Sequence, residues 1–152
     1  MFEPNERRYL EASSVARLST ADAEGRPHVV PICFALVDIG DGAELVTPID
    51  EKPKNADPMA LRRSRNIEAN PQVALVADHY TEDWSQLGWV QVRGTANHLS
   101  PGDGTHRRGV AALRRKYDQY AAHALEERPL IRISPERVLS WGRLKRPVDA
   151  PE

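Results

Sequence analysis

One cysteine, Cys33, stands in 152 residues, so no disulfide framework can hold this chain together. No apolar run approaches the ~18 residues that a bilayer-spanning helix requires. The first five residues run straight into Glu6-Arg7-Arg8, without the apolar core of a signal peptide. These absences predict a cytoplasmic protein with no membrane partner. Formal net charge is −1, too little positive charge to coat nucleic acid or an anionic lipid surface. Lysine is scarce, 4 against 17 arginines, a bias that base composition produces as readily as function does. His28, His79, His98, His106 and His123 show no metal-ligand spacing, so no metal site is expected. No Gly-x-Ser-x-Gly elbow marks a hydrolase. Composition is otherwise ordinary, 40% hydrophobic and 28% charged, as for one globular domain spanning 1–152.

The informative stretch is residues 50–78. Lys52, Lys54, Arg62, Arg63 and Arg65 crowd into a loop and short helix between two apolar strands. Asp57 is suited to cap that helix and Pro58 to begin it; Asn70-Pro71 should end it. On a helical wheel Arg63 falls between Met59 and Ile67, at the edge of the inward face. A cation there needs an anion, because an unpaired buried charge is expensive. Spacing alone leaves two readings open: an internal salt bridge to Asp or Glu, or a bound phosphate, which suits the planar guanidinium fork.

The rest reads as short strands and helices. Residues 5–15 suggest a helix with Asn5 as cap and Tyr9, Leu10 and Val15 as its apolar contacts. A first strand over 16–21 leads to the turn Asp22-Ala-Glu-Gly25. Residues 27–37 form one strand, apolar on both faces and therefore expected to be buried on both. Pro31 is anomalous there and points to an edge, a bulge or a bound ligand. Gly40-Asp-Gly42 turns into a strand over 43–48. Strands over 72–78 and 88–98 follow, with Trp84 in the polar loop between them. A helix over 105–125 places Val110, Leu113, Tyr117, Tyr120 and Leu125 on one stripe, leaving Arg107, Arg108, Arg114, Arg115 and Lys116 as a solvated face. Strands over 130–133 and 137–141 precede a frayed tail at 148–152. The sum is mainly β (α+β): six to seven antiparallel strands in a barrel with peripheral helices.

Three segments in register carry a resemblance. Leu18-Ser-Thr-Ala-Asp-Ala-Glu-Gly-Arg-Pro-His-Val-Val-Pro31, Arg62-Arg-Ser-Arg-Asn-Ile-Glu-Ala-Asn-Pro-Gln-Val-Ala-Leu75 and Trp89-Val-Gln-Val-Arg-Gly-Thr-Ala96 resemble the pyridoxamine 5′-phosphate oxidase-like split-barrel family. Asp50-Glu-Lys-Pro-Lys54 and Asp78-His-Tyr-Thr-Glu-Asp-Trp84 are similar to its branch that uses the deazaflavin coenzyme F-420. The resemblance implies a split β-barrel homodimer with flavin or deazaflavin in a groove between subunits. It implies that the strand carrying Val29, Val30 and Pro31 runs along the ring, that Val46 and Thr47 flank it, and that Arg62, Arg63 and Asn66 hold the anionic tail. Arg63 stands where the family has lysine; Lys54 is then the candidate for the missing ammonium. Under the resemblance, Arg63 as phosphate ligand is preferred to Arg63 in a salt bridge.

Five cations within 14 residues exceed what one phosphate requires, which favours F-420 with its several carboxylates over flavin mononucleotide (FMN). The implied reaction is hydride transfer between cofactor and a small organic substrate. No catalytic acid or base is evident; His28 is the candidate proton donor, against the plainer reading of a strand histidine turned away from the ring. Trp84, Trp89 and Trp141 are candidate pocket walls or ordinary packing, and Trp89 is counted with the cofactor contacts. Cys33 reads as an inert buried thiol. The rivals are a non-catalytic carrier or sensor of flavin, F-420 or haem, and a true pyridoxamine phosphate oxidase, which Trp141-Gly-Arg-Leu144 only faintly suggests.

Overall fold

Alternating apolar residues build seven strands, and a computed structural model that describes residues 1–49 and 61–146 shows how they join. The strands are β1 (Ala16–Ala21), β2 (Pro27–Ile32), β3 (Ala35–Ile39), β4 (Gly42–Pro48), β5 (Gln72–His79), β6 (Gly88–Leu99) and β7 (Leu130–Gly142). Every pairing is antiparallel, in the order β2-β1-β5-β6-β7-β4-β3. The edge strands β2 and β3 are consecutive in the chain, so Cys33 and Phe34 close the sheet on itself. This is the expected split barrel. Inward residues Leu18, Leu75, Val90, Val92, Leu45 and Ile133 fill its interior.

That closure explains why residues 27–37 are two strands rather than one. The chain turns the barrel's corner at Cys33–Phe34, where Phe34 N donates to Tyr117 Oη at 3.1 Å and Thr47 Oγ1 donates to the Cys33 carbonyl at 2.7 Å. Nor is β2 buried on both faces. Val30 packs against the core, whereas Pro27, Val29 and Pro31 lie exposed on the other side. Pro31 sits on an edge strand, as a residue without an N–H should. Residues 130–141 make the opposite correction, forming one strand through a bulge beside Arg93 and Gly94. A Cβ at Gly94 would lie 2.1 Å from the Ser134 carbonyl oxygen, so only glycine lets the two strands approach.

Among the described residues three α-helices lie around the barrel: α1 (Pro4–Ala12), α2 (Arg62–Ala69) and α3 (Gly104–Lys116). Glu3, not Asn5, caps α1, through a reciprocal capping box with Glu6. The helix ends before Val15, and Tyr9 and Leu10 enter the core. The expected α2 start at Pro58 lies outside the described residues; Leu61 is extended, so this helix begins at Arg62, and Asn70 ends it as expected. α3 covers β3 and β4 over a second apolar layer of Val37, Val46, Val110, Leu113 and Leu130. It stops at Lys116 rather than near 125, because Tyr117 turns to the barrel corner; 3-10 turns at Asp118–Ala122 and Leu125–Glu127 carry Tyr120 and Leu125 on. Four members of the supposed solvated face are engaged: Arg107 donates to the Gly102 carbonyl and Arg108 to the Asp38 carbonyl. Arg114 donates to the Tyr120 and His123 carbonyls and pairs with Glu126, and Lys116 Nζ lies 3.8 Å above the Phe34 ring. Among the described residues, no helix is long and apolar enough to cross a membrane. The tail at 148–152 lies outside them.

Candidate functional site

Ser64, Asn66 and Ile67 form the buried face of α2. Ile67 joins the barrel core, and Asn66 Nδ2 donates to Thr20 Oγ1 at 3.0 Å. These contacts pin the helix beside β1 and leave Arg62 and Arg63 facing two separate cavities. Arg63 lines one of about 170 Å³ with Pro31, Cys33, Thr47 and Tyr120. Arg62 lines another of about 340 Å³ with Asp22, Arg26, His28 and Asn66.

Arg63 carries the charge that the first cavity leaves unbalanced. Its Nε is shielded from solvent without a hydrogen-bond partner, and among the described residues no carboxylate pairs with it. The internal salt bridge left open by helical spacing is therefore not formed within the described chain. In the second cavity the charges divide differently. The backbone N–H of Arg26, and then its guanidinium, hold the Asp22 carboxyl below the usual carboxylate range. Arg26 is thus neutralised locally by Asp22 and Glu24, leaving Arg62 as the second cavity's uncommitted cation among the described residues. His28 lines this cavity, and its Nδ1 is enclosed and unpartnered.

The other anticipated residues divide plainly. Pro31 and Thr47 share the Arg63 cavity. Val29, 63% exposed, stands on the open face of β2, while Val30 turns inward. Val46 is enclosed beneath α3, so its side chain cannot meet a ligand. Asn66 reaches the Arg62 cavity although its amide also anchors the helix. Trp89 pairs with Trp141 three strands from β2, and neither cavity has a tryptophan wall. Trp84 is 70% exposed. Lys54 lies outside the described residues. Five residues of the Arg63 cavity, Val15, Ile32, Cys33, Pro48 and Tyr120, were not anticipated as site members, and two of them bring a thiol and a phenol. Cys33, read as an inert buried thiol, is half-buried and lines it, and Tyr120, read as a helix-stripe residue, is delivered there by the 3-10 turn after α3. Neither carries a local signal, since both depend on the barrel corner. Among the described residues no group of three or more His, Cys, Asp or Glu could hold a metal.

Seven antiparallel strands closed at a covalent corner, with a cationic helix beside the edge strand, define a split-barrel protein. The sequence model of the family described as pyridoxamine 5′-phosphate oxidase matches residues 2–142, and the chain belongs to that family. A 5a,11a-dehydrotetracycline/5a,11a-dehydrooxytetracycline reductase of Streptomyces rimosus subsp. rimosus is 32% identical over 142 residues, 93% of this chain and 83% of that protein. The fold is shared with a conserved hypothetical protein of Mycobacterium tuberculosis, at TM-score 0.71 and 20% identity, covering 93% of this chain and 85% of that one. It is shared also with the heme storage protein HutZ of Vibrio cholerae, at TM-score 0.67 and 19% identity over 90% and 92% of the two chains.

Proposed function

We propose that the protein is an oxidoreductase that moves a hydride between a bound deazaflavin or flavin and a small organic substrate, with coenzyme F-420 preferred to FMN. The observation that carries this reading is Arg63, half-buried with its Nε shielded from solvent and without a carboxylate among the described residues, lining a cavity with Pro31 of the edge strand. Such a group fits an anionic cofactor, because a bound anion supplies the charge balance the described chain does not. Arg63 would hold the phosphate and Arg62 the next acidic group along the tail. Two cavities, each with an arginine uncommitted among the described residues, suit a cofactor with several anionic groups better than one with a single phosphate. When bound, the cofactor supplies the hydride chemistry; the chain's part is to hold the tail, present the β2 edge and exclude water. A second copy of the chain, seated on the exposed face of β2, would complete the groove.

The reductase relative supplies the starting point for a substrate panel: unsaturated polycyclic ketones of the dehydrotetracycline kind. Titration with F-420 and with FMN, followed by fluorescence, should show saturable binding that is tighter for F-420. Arg63→Ala should weaken it by roughly 2 to 3 kcal/mol, a thirty- to hundredfold loss, and Arg63→Lys by less. Oxidation of reduced cofactor by a panel member establishes the enzyme. Tight binding without turnover assigns a carrier instead. Unchanged affinity in Arg63→Ala would overturn the site itself.

A further inference from the structure

A cleft of about 660 Å³ lies away from the candidate cofactor site, between α1, β3 and α3. It shares no lining residue with either α2 cavity. Its floor is apolar, with Ala35, Leu36 and Val37 from β3 and Ala112 from α3. One wall is internally compensated. Arg7 donates from Nε to Glu11 at 2.7 Å and from Nη1 to Asp38 at 2.7 Å, and this guanidinium holds the Asp38 carboxyl below its usual range.

The opposite wall is not compensated. Arg108, Ala111, Ala112 and Arg115 follow the i, i+3, i+4, i+7 spacing that aligns side chains on one helix face. Seven residues of helix separate the two arginines by roughly 10 Å, and the alanines between them put no bulk in the gap. Arg108 gives Nη2 to the Asp38 backbone carbonyl. Arg115 is exposed and, among the described residues, forms neither a hydrogen bond nor an ion pair.

We infer that this cleft is a second ligand site, for a flat aromatic or alicyclic molecule bearing a carboxylate or sulfonate. The apolar body would lie over Leu36 and the α3 alanines, with the anionic group taken by Arg115 and Arg108. The volume is that of a small-molecule pocket. A bounded cleft on a chain of net charge −1 is not the extended basic surface that a phosphate backbone requires, so a small molecule is the fitting occupant.

The test uses the full chain and anilinonaphthalene sulfonate, whose fluorescence rises in an apolar site. Saturable binding, with one probe per chain, is expected. Arg115→Ala should weaken it about tenfold or more, Arg108→Ala should also weaken it, and Arg63→Ala should leave it unchanged. Naphthalene sulfonate should displace the probe, whereas neutral naphthalene methanol should not. Arg115 is exposed and unpaired, so its removal should not disturb folding; an unchanged circular dichroism spectrum checks this. Non-saturable binding, equal binding by Arg115→Ala, or displacement of the probe by F-420 or FMN would each overturn the second site; the first two leave Arg63 as a cofactor ligand untouched.

Discussion

Tyr9 and His79 meet inside the barrel although 70 residues separate them. Tyr9 Oη donates to His79 Nδ1 at 2.7 Å, and His79 Nε2–H donates to the Gln86 carbonyl at 2.5 Å. Both ring nitrogens are thereby satisfied. Tyr9→Phe keeps the ring in the core but strands Nδ1 as a buried acceptor, so a loss of about 1 to 3 kcal/mol is expected in urea denaturation; equal stability would show that solvent reaches the imidazole. The sequence marks His79 only as one of five histidines without metal spacing, because nothing local reveals a partner so distant. Arg63 and Arg114 make the same point in the other direction. Helical spacing places Arg63 correctly at the edge of a buried face, since Ile67, one of the two residues that mark that face in the sequence, is buried beside Ser64 and Asn66; the other, Met59, lies outside the described residues. It misplaces Arg114 in solvent, because the carbonyls and the carboxylate that hold Arg114 lie beyond the helix end.

Elements were legible where residue chemistry acts over a few positions and illegible where closure of the sheet decides. The first strand, Ala16–Ala21, and the turn with Gly25 at φ +83° follow from alternation and turn chemistry. The break at Cys33–Phe34 does not, since only a closing barrel needs a corner there. The shortened α3 follows from that corner, and its 3-10 extension is held by Arg114 and Glu126. Their hydrogen bond is the chief cause that lowers the Glu126 pKa from its ordinary 4.5 to about 2. A depressed carboxylate stabilises the fold fully above its ordinary pKa and loses that contribution as pH falls through the folded value. Tethering of Asp118–Ala122 and Leu125–Glu127 should therefore loosen as pH falls from 4.5 toward about 2. Site-resolved amide exchange should show faster opening of these turns across that window. Glu126→Gln should remove the pH step, whereas an identical step in that variant would assign it to another carboxylate.

At the scale of the whole molecule, the barrel leaves one broad sheet face bare. Val29 of β2, at 63% exposure, and Trp141 near the end of β7, at 53%, mark its two sides. Between them Arg17 and Asp78 pair at 3.1 Å and tie β1 to β5. β2 is also an edge strand with apolar residues turned to solvent, an arrangement that a monomer avoids because it invites association. The family resemblance implies a paired barrel, and apolar residues on both faces of β2 suggest burial on both sides, which one chain does not provide; a second copy would account for both faces of that strand being apolar. Sedimentation velocity of the purified chain should then give a species of twice the 17.0 kDa protomer. Val29→Glu places a charge in the middle of the proposed contact and should shift that species toward the protomer, with far-ultraviolet circular dichroism unchanged. Because β2 also borders the Arg63 cavity, the same variant should weaken cofactor binding in step with dissociation, whereas Arg63→Ala should weaken binding and leave the assembly intact. A wild-type chain that sediments as a single protomer in the presence of bound cofactor would remove the second subunit from the groove, leaving the arginines of α2 to hold the tail alone.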